Sequence, residues 1–169
     1  EEPRFFEELL VVMPVISLGA SVYEPEEIKR LRLCAFDLAF QFPFNVLDRR
    51  FEYMKSYRGK RFARSVLLQG FLGSDEPLRS GVPEKLKEFH AKYHGLLKRR
   101  GIRSYDLALD FILSSDSIDQ FLIGAETREQ LRGLFSVEPV EADVEEELNA
   151  LCTEFSYWLD PRRWIRDVH

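Results

Sequence analysis

Four short apolar segments, each followed by a helix-like or turn-rich stretch, constrain the fold of this chain most. They cover residues 13–20, 36–44, 61–68 and 118–125, and each ends at or near a glycine, a serine or an asparagine. Short apolar runs bounded by turn residues are typical of buried strands. Strands that alternate with helices predict a parallel sheet in an α/β fold, because a parallel connection has to cross back over the sheet.

Helical periodicity is strongest in the second half of the chain. The sequence predicts helices over residues 82–100, 128–134 and 142–159, and an earlier helix that begins near Pro25 and runs to about Cys34. A further helix is predicted after Ser104, with an apolar stripe from Leu107 to Leu113. Ser104 and Thr127 are expected to cap the helices that follow them. The segment 49–60, between the second and third strands, is too short for a full crossover helix.

Composition and charge restrict the class of protein. The chain has 169 residues, of which 45% are apolar and 31% charged, with a formal net charge of −5. This is enough for one folded domain over residues 1–169, with an irregular tail over 160–169. A negative net charge argues against a general nucleic-acid binder. The longest apolar run, Leu9 to Leu18, is too short to cross a bilayer, so no membrane partner is expected.

Two cysteines, Cys34 and Cys152, lie far apart in the sequence and predict neither a disulfide framework nor a metal cluster. A reducing compartment follows, and we expect a cytoplasmic location. The sequence begins at Glu1 without an initiator methionine. We therefore expect either a processed chain or part of a longer one.

Ligands of parallel α/β folds bind at the carboxyl ends of the strands. The residues there are Ser21, Gln41, Asn45, Ser65, Gly70, Gly124 and Ala125. Several of these positions have a plainer interpretation as well. The Ser21 hydroxyl either binds a ligand or caps the next helix, and the latter is favoured. Gln41 either holds an amide-bearing ligand or bonds a neighbouring backbone group.

The remaining candidate groups are equally open to two interpretations. Arg64 with Ser65 suits a phosphate or is a surface arginine before a turn. Segment 124–127 (GAET) permits close approach of a phosphate, or it is a capped turn. His90 and His94 share a helix face that suits a metal, but a solvated face is favoured. Segment 160–164 (DPRRW) either covers a site or is a surface turn with an anchored tryptophan. No glycine-rich phosphate motif and no nucleophile elbow is present.

Five segments, in this order, resemble the C-terminal half of an aldo/keto reductase. They are 19–27 (GASVYEPEE), 41–50 (QFPFNVLDRR), 63–70 (ARSVLLQG), 107–111 (LALDF) and 123–131 (IGAETREQL). Together the resemblance covers residues 16–135. It implies part of a (β/α)₈ TIM-type barrel, with about half of the strands present. It also implies hydride transfer between NADP or NAD and a small carbonyl substrate.

The resemblance assigns candidate cofactor contacts from one end of the nucleotide to the other. Ser21 and Gln41 would bond the nicotinamide carboxamide, and Arg64 would lie beside the nicotinamide ring. The pyrophosphate would be lined by Ser65, Leu67 and Gly70. The adenosine end would meet Gly124, Ala125, Thr127 and Gln130. No metal site is implied.

The departures from the family pattern are as informative as the matches. The family's catalytic Asp, Tyr, Lys and His belong to its N-terminal half and have no counterpart here, so no catalytic residue is assigned. Val22 and Leu134 stand where asparagine is usual. Glu126 disfavours the 2′-phosphate of NADP and leaves NAD open. We expect no turnover by this chain alone.

Two functions of different classes follow. In the first, the chain is the cofactor-binding half of an NAD(P)H-dependent carbonyl oxidoreductase. In the second, it is a non-catalytic half-barrel that serves as a binding or assembly module, because an open half-barrel exposes sheet edges to another chain. The partner is then a second copy or an N-terminal segment. A third interpretation, an enzyme for a phosphate ligand on a shared barrel, rests only on the glycine junctions.

Overall fold

The computed structural model describes residues 8, 11–12, 17–31, 37–74, 76–78, 81–125, 127–140 and 143–164, which form an α/β fold. The strands are β1 (Gly19–Ser21), β2 (Ala39–Pro43), β3 (Arg61–Arg64) and β4 (Gln120–Phe121). The α-helices are α1 (Pro25–Leu31), α2 (Glu84–Arg100), α3 (Ser104–Leu113), α4 (Arg128–Gly133) and α5 (Glu145–Glu154). Short 3₁₀ turns occupy Glu52–Ser56, Leu68–Gly70, Ser156–Leu159 and Pro161–Arg163.

The four strands form one parallel sheet, as the alternating pattern predicts, and the structure gives their order as β1-β2-β3-β4. Paired residues share a face of the sheet, and one row runs from Ser21 through Gln41 and Phe62 to Gln120. The side chains of this row are half-buried or exposed. The neighbouring row, Phe42, Ala63 and Phe121, faces the hydrophobic core; Phe42 and Ala63 are buried and Phe121 is half-buried. Within the described chain, therefore, the sheet has one packed face and one open face.

Two aromatic clusters hold the layers together. Beneath the sheet, Phe42 stacks on Phe51, with ring centroids 4.7 Å apart. Between α2 and α5, Phe89 stacks on Phe155 at 4.6 Å, and Phe71 joins the same cluster. Burying large aromatic side chains supplies most of the apolar stabilisation in a chain of this size. The second cluster also anchors the segment that follows β3.

Several predicted elements are shorter than the sequence indicates. The second strand begins at Ala39 and ends at Pro43, inside the predicted range 36–44. The third strand ends at Arg64 rather than residue 68, because Ser65 adopts a left-handed φ of 57° that leaves the extended region. The fourth strand has two residues. The last helix ends at Glu154, where Phe155 departs from helical geometry (φ −114°, ψ 22°), and a 3₁₀ turn follows. Residues 13–16 of the predicted first strand and 32–36 of the first helix region lie outside the described residues.

The two predicted helix caps have different outcomes. Thr127 caps α4 as predicted, accepting from the N–H of Gln130, while the Gln130 side chain accepts from the Thr127 N–H. The prediction for Ser104 is wrong. Ser104 is the first residue of α3, and its hydroxyl donates to the carbonyl of Leu72, 2.6 Å away. Tertiary contact therefore takes the hydroxyl that a local cap would use.

The expectation of a solvated histidine face on α2 is also wrong. His90 is buried, and its Nε2 lies 3.2 Å from the Ser74 carbonyl. His94 Nε2 lies 2.9 Å from the Phe71 carbonyl. The two imidazoles thus hold the backbone after β3. Among the residues that the structure describes, no cluster of three or more potential metal ligands occurs.

Membrane-spanning helices are absent from the described residues. None of their helices is both long enough and apolar enough to cross a bilayer.

The segment 49–60, between β2 and β3, contains only the short 3₁₀ turn Glu52–Ser56 and no crossover helix, as its length predicts.

Candidate functional site

The carboxyl ends of β1 and β2 bring two polar side chains into contact. Ser21 and Gln41 lie opposite each other in the ladder, and the Ser21 hydroxyl donates to Oε1 of Gln41 over 3.0 Å. The hydroxyl therefore does not cap α1, and the two amides just before this helix are bound by another side chain. The N–H groups of Tyr23 and Glu24 donate to the Glu27 carboxylate at 2.6 and 2.8 Å. Ser21 is therefore not a helix cap, and Gln41 does not bond a neighbouring backbone group among the described residues, since the two side chains are partners of each other.

This pair has hydrogen-bonding capacity to spare. The Nε2 group of Gln41 donates to no acceptor within the described part of the chain. The Ser21 oxygen keeps its lone pairs as acceptors. One donor and one acceptor thus face the open side of the sheet, close together at the ends of adjacent strands. A carboxamide offers the complementary pair of groups: an oxygen that can accept from Gln41 and an N–H that can donate to Ser21.

Arg64 ends β3 and is half-buried, so it is not the surface arginine that one interpretation expects. Its guanidinium donates to the Val22 carbonyl at 3.1 Å and weakly to the Ser65 hydroxyl at 3.4 Å. Its Nε is buried and meets no partner among the described residues. These contacts bind the end of β3 to the end of β1 across β2.

The ring of Tyr23 lies between two arginines. The guanidinium carbon of Arg64 is 3.8 Å from the ring centroid, and that of Arg162 is 3.7 Å from it. Two guanidinium groups at these distances cannot share one face without overlapping, so they cover opposite faces. Each contact contributes about 0.5–2 kcal/mol, the upper value when the pair is desolvated.

Arg162 belongs to a segment, the strap, that comprises residues 160–164. Asp160 is buried, and it accepts from the Arg162 guanidinium at 2.6 Å. Burial pushes the pKa of Asp160 upward, but the hydrogen bonds from Arg162 outweigh it and the pKa is lowered. The Trp164 indole is buried and donates to the Trp158 carbonyl at 2.8 Å. The strap therefore combines both expectations for this segment: its tryptophan is anchored, and its arginine reaches Tyr23.

The loop of residues 65–70 has an unusual backbone. Three residues other than glycine have positive φ angles: Ser65 at 57°, Leu68 at 45° and Gln69 at 53°. Gly70 has a φ of 89°, and open space surrounds the position of a Cβ there. Left-handed backbone at three L-residues costs of order 1–3 kcal/mol each, and such outliers cluster at ligand sites.

The same loop presents unpaired backbone donors. The N–H groups of Ser65, Val66 and Leu67 donate to no acceptor in the described parts of the chain. Successive N–H groups next to a left-handed residue form a concave anion-binding arrangement. Segment 65–74 (SVLLQGFLGS) contains no acidic residue, and Arg64 adds a positive charge at its start. The arrangement suits a phosphate.

The region after β4 is partly accounted for by local structure. Gly124 and Ala125 are exposed, and a Cβ on Gly124 would meet open space. Thr127 and Gln130 form the capping box of α4. Glu126 lies outside the described residues, so its effect on NADP stays a prediction. The N–H of Leu122 donates to the Ala63 carbonyl at 2.8 Å, which places this segment beside the end of β3.

Sequence reasoning missed two contacts of this site. Tyr23 stands in the 19–27 motif, and its position as an aromatic residue directly after a strand end is the one sequence signal for this contact. The partnership of Tyr23 with Arg162 has no sequence signal, because 139 positions separate them. The sequence predicts Asn45 at a strand end, but it carries no signal for the contact of Asn45 with Ser65.

Comparisons with known proteins identify the fold. No family sequence profile matches the chain, and no curated protein matches it either. Among solved structures, the holo form of an aldo/keto reductase from Bacillus halodurans matches with a TM-score of 0.65 and 22% identity, over 89% of this chain and 55% of that one. A glycerol dehydrogenase from Gluconobacter oxydans matches with a TM-score of 0.59 and 21% identity, over 91% and 54%.

These similarities confirm the predicted fold class. The chain resembles part of an aldo/keto reductase, and its sheet corresponds to part of a TIM-type barrel. It spans about 55% of the length of the Bacillus halodurans protein.

Proposed function

We propose that this chain forms the nucleotide-binding part of an NAD(P)H-dependent carbonyl oxidoreductase of the aldo/keto reductase type. The observation that carries the proposal is the row of unpaired amides at 65–67, which begins beside Arg64. A dinucleotide needs an amide-recognising group at one end and an anion cradle in its middle. Groups that suit these two roles lie here on adjacent strand ends, which supports the proposal.

The nicotinamide end fits the pair at β1 and β2. Nε2 of Gln41 is available to donate to a carboxamide oxygen, and the oxygen of Ser21 to accept from a carboxamide N–H. Hydrogen bonds of this kind orient a planar ring as well as bind it. They would fix which face of the nicotinamide is turned to the substrate.

The diphosphate fits the 65–70 loop. Backbone N–H groups recognise phosphate oxygens without bringing side-chain entropy costs, and Arg64 supplies a charge of the opposite sign. Ser65, Leu67 and Gly70, the residues that the resemblance assigns to the pyrophosphate, all lie in this loop. For the adenosine end, Gly124, Ala125, Thr127 and Gln130 remain the proposed contacts. The choice between NAD and NADP stays open.

In this proposal the nucleotide supplies the hydride, and this chain binds and orients it. Ser21 and Gln41 hold the ring, while the loop amides hold the diphosphate. The general acid that protonates a small carbonyl substrate is proposed to come from outside the described residues. On this basis the chain alone binds the nucleotide and turns over no carbonyl.

The test is a titration of the purified chain with NADH and with NADPH, following quenching of Trp158 and Trp164. Saturable binding in the micromolar range is expected for at least one nucleotide. Gln41→Leu removes the spare donor and is expected to weaken binding about tenfold, since a hydrogen bond of this kind contributes about 1 kcal/mol or more. The matched control is Gln120→Leu, in the same row of the sheet. No binding of either nucleotide by the folded chain would refute the proposal.

A second function, a half-barrel that assembles with another chain, has an observation of its own. Three large apolar residues in the last part of the sheet region are exposed to solvent. Leu122 directly follows β4 and is 48% exposed. Leu131 lies on α4 and is 50% exposed, and Phe135 follows α4 and is 86% exposed. Both outer strands of the described sheet, β1 and β4, lack a neighbour on one side. Exposed apolar residues next to an open strand edge favour association.

Oligomeric state tests this second function. Sedimentation at several concentrations is expected to show self-association that Phe135→Ser weakens. A monomer at all concentrations, unchanged by the substitution, would argue against assembly with a second copy.

A further inference from the structure

Asn45 lies at the carboxyl end of β2 and is completely buried. Its amide nitrogen donates to the Ser65 carbonyl over 3.1 Å, and its oxygen accepts from the N–H groups of Leu47 and Asp48, both at 3.0 Å. One side chain therefore closes a turn of its own strand and reaches the loop after the next strand. We infer that Asn45 is a positioning residue that fixes the Val66 N–H for the diphosphate, an inference that rests on the proposed function.

The Ser65 carbonyl is held by two donors at once. Besides the Asn45 amide, the N–H of Leu68 donates to it over 3.0 Å. A carbonyl oxygen has two lone pairs, so its hydrogen-bonding capacity is filled. With both donors in place, the plane of the Ser65–Val66 peptide has one orientation. Without Asn45, only the local bond within the loop would restrain it.

The orientation of this peptide determines where its N–H points. In a trans peptide the C=O of one residue and the N–H of the next point in opposite directions. The bond from Asn45 to the Ser65 oxygen therefore turns the Val66 N–H away from Asn45 and from the buried turn. Val66 is 1% exposed, and its N–H meets no acceptor among the described residues.

A buried residue whose amide lacks an acceptor is uncommon, because nearly all buried N–H groups are paired. The left-handed Ser65 adds strain at the same peptide. Asn45 thus stabilises a conformation that the loop would not adopt alone, and that conformation keeps a donor available. A diphosphate oxygen of the nucleotide is the acceptor that this position suits.

Two substitutions separate positioning from mere stability. In Asn45→Ser a hydroxyl can still accept from the two turn amides, as serine does in such turns, but it is too short to reach Ser65. Asn45→Asp keeps the size and the accepting oxygen and replaces the donor by a second oxygen. Asn149→Ser, on the exposed face of α5, is the matched control.

The first measurement needs no nucleotide. In ¹⁵N-correlated spectra of the folded chain, Asn45→Ser and Asn45→Asp are expected to shift and broaden the amide signals of Val66 and Leu67. The amide signals of α2 should keep their positions in both variants. In the Asn149→Ser control, the amide signals of Val66 and Leu67 should keep their positions as well. If both variants fold and the Val66 signal is unchanged, the inference is overturned.

The second measurement is the dissociation constant for NADH, NADPH and inorganic pyrophosphate. The two Asn45 variants are expected to weaken each by at least tenfold, with Asn149→Ser unchanged. Equal affinity in wild type and Asn45→Ser would overturn the inference. If the wild-type chain binds none of the three probes, the proposed function fails, and with it the ligand assigned to the Val66 N–H. The spectra then still decide whether Asn45 orients the peptide.

Discussion

The attachment of β4 to the sheet depends on a charged contact that can be removed by one substitution. β4 contributes only two residues to the ladder. Just before it, the Asp119 carboxylate accepts from the backbone N–H of Arg61 at 2.8 Å and from its guanidinium at 2.9 and 3.1 Å. We predict that Asp119→Ala loosens the β3–β4 connection and lowers the free energy of unfolding by about 2 kcal/mol.

That magnitude follows from how exposed the pair is. The Arg61 side chain is 13% exposed and that of Asp119 is 29% exposed. Fully exposed ion pairs contribute about 0–1 kcal/mol, while hydrogen bonds to charged groups contribute about 1.5–3 kcal/mol. Because this pair is largely shielded from solvent, a value in the lower part of the second range is expected. Arg61 keeps bonds to the carbonyls of Met54 and Asp116, so the substitution does not leave its charge without partners.

Urea unfolding measures the change. With a slope of about 2 kcal/mol/M, a loss of about 2 kcal/mol moves the midpoint by about 1 M. Thermal unfolding should shift by about 4–8 °C. Asp116→Ala is the matched control, because Asp116 hydrogen-bonds Arg61 through its backbone oxygen and its carboxylate adds only a weaker charge interaction. A midpoint shift no larger than that of the control would refute the reasoning.

The same pair predicts a pH dependence with a definite sign. The hydrogen bond from Arg61 lowers the pKa of Asp119 below its ordinary value of 3.8. Because the folded-state pKa is the lower one, this stabilisation is present above pH 3.8 and is lost as the pH falls through the folded-state value. The difference in unfolding free energy between wild type and Asp119→Asn should therefore stay constant above about pH 5 and shrink below about pH 4. A difference that grows on acidification would contradict this account.

Three further predictions test other parts of the structure. Gly19→Ala would place a Cβ 2.5 Å from the Ala39 carbonyl oxygen, so it should separate β1 from β2 and weaken nucleotide binding. By contrast, a Cβ at Gly95 would lie 3.6 Å from its nearest neighbour, so Gly95→Ala should stabilise α2 by up to about 1 kcal/mol in the same urea assay. Phe89→Ala removes a fully buried ring and should cost about 3–5 kcal/mol of unfolding free energy; a loss below about 1 kcal/mol would show that the cluster is not the core. Burial raises the pKa of Cys152 to about 11, so alkylation at pH 8, followed by peptide mass spectrometry, should be slow in the folded chain and fast in urea.

Local patterns determined the fold class and the ends of several elements. The α2 helix matches its predicted range within two residues, because Pro83 before it and Gly101 after it are local signals, and Gly101 has the left-handed φ of 68° that a helix end needs. The parallel sheet was predictable for the same reason. The alternation of apolar runs with helical segments is set by residues that are close together in sequence, so it can be recognised without the tertiary structure.

Tertiary contacts decided what each polar side chain does. Ser104 looked like a cap, yet its hydroxyl bonds Leu72, and His90 looked solvated, yet it is buried against Ser74. Pairings of this kind join residues distant in sequence, and no local propensity encodes them.

The site shows the same division between sequence and structure. The sequence by itself placed Ser21, Gln41 and Ser65 at strand ends, because strand ends are local features. The hydrogen bond between Ser21 and Gln41, the hold of Asn45 on Ser65 and the reach of the strap to Tyr23 were decided only when the strands paired and the core closed. Side-chain partnerships depend on distances across the fold, and these exist only once packing has set them.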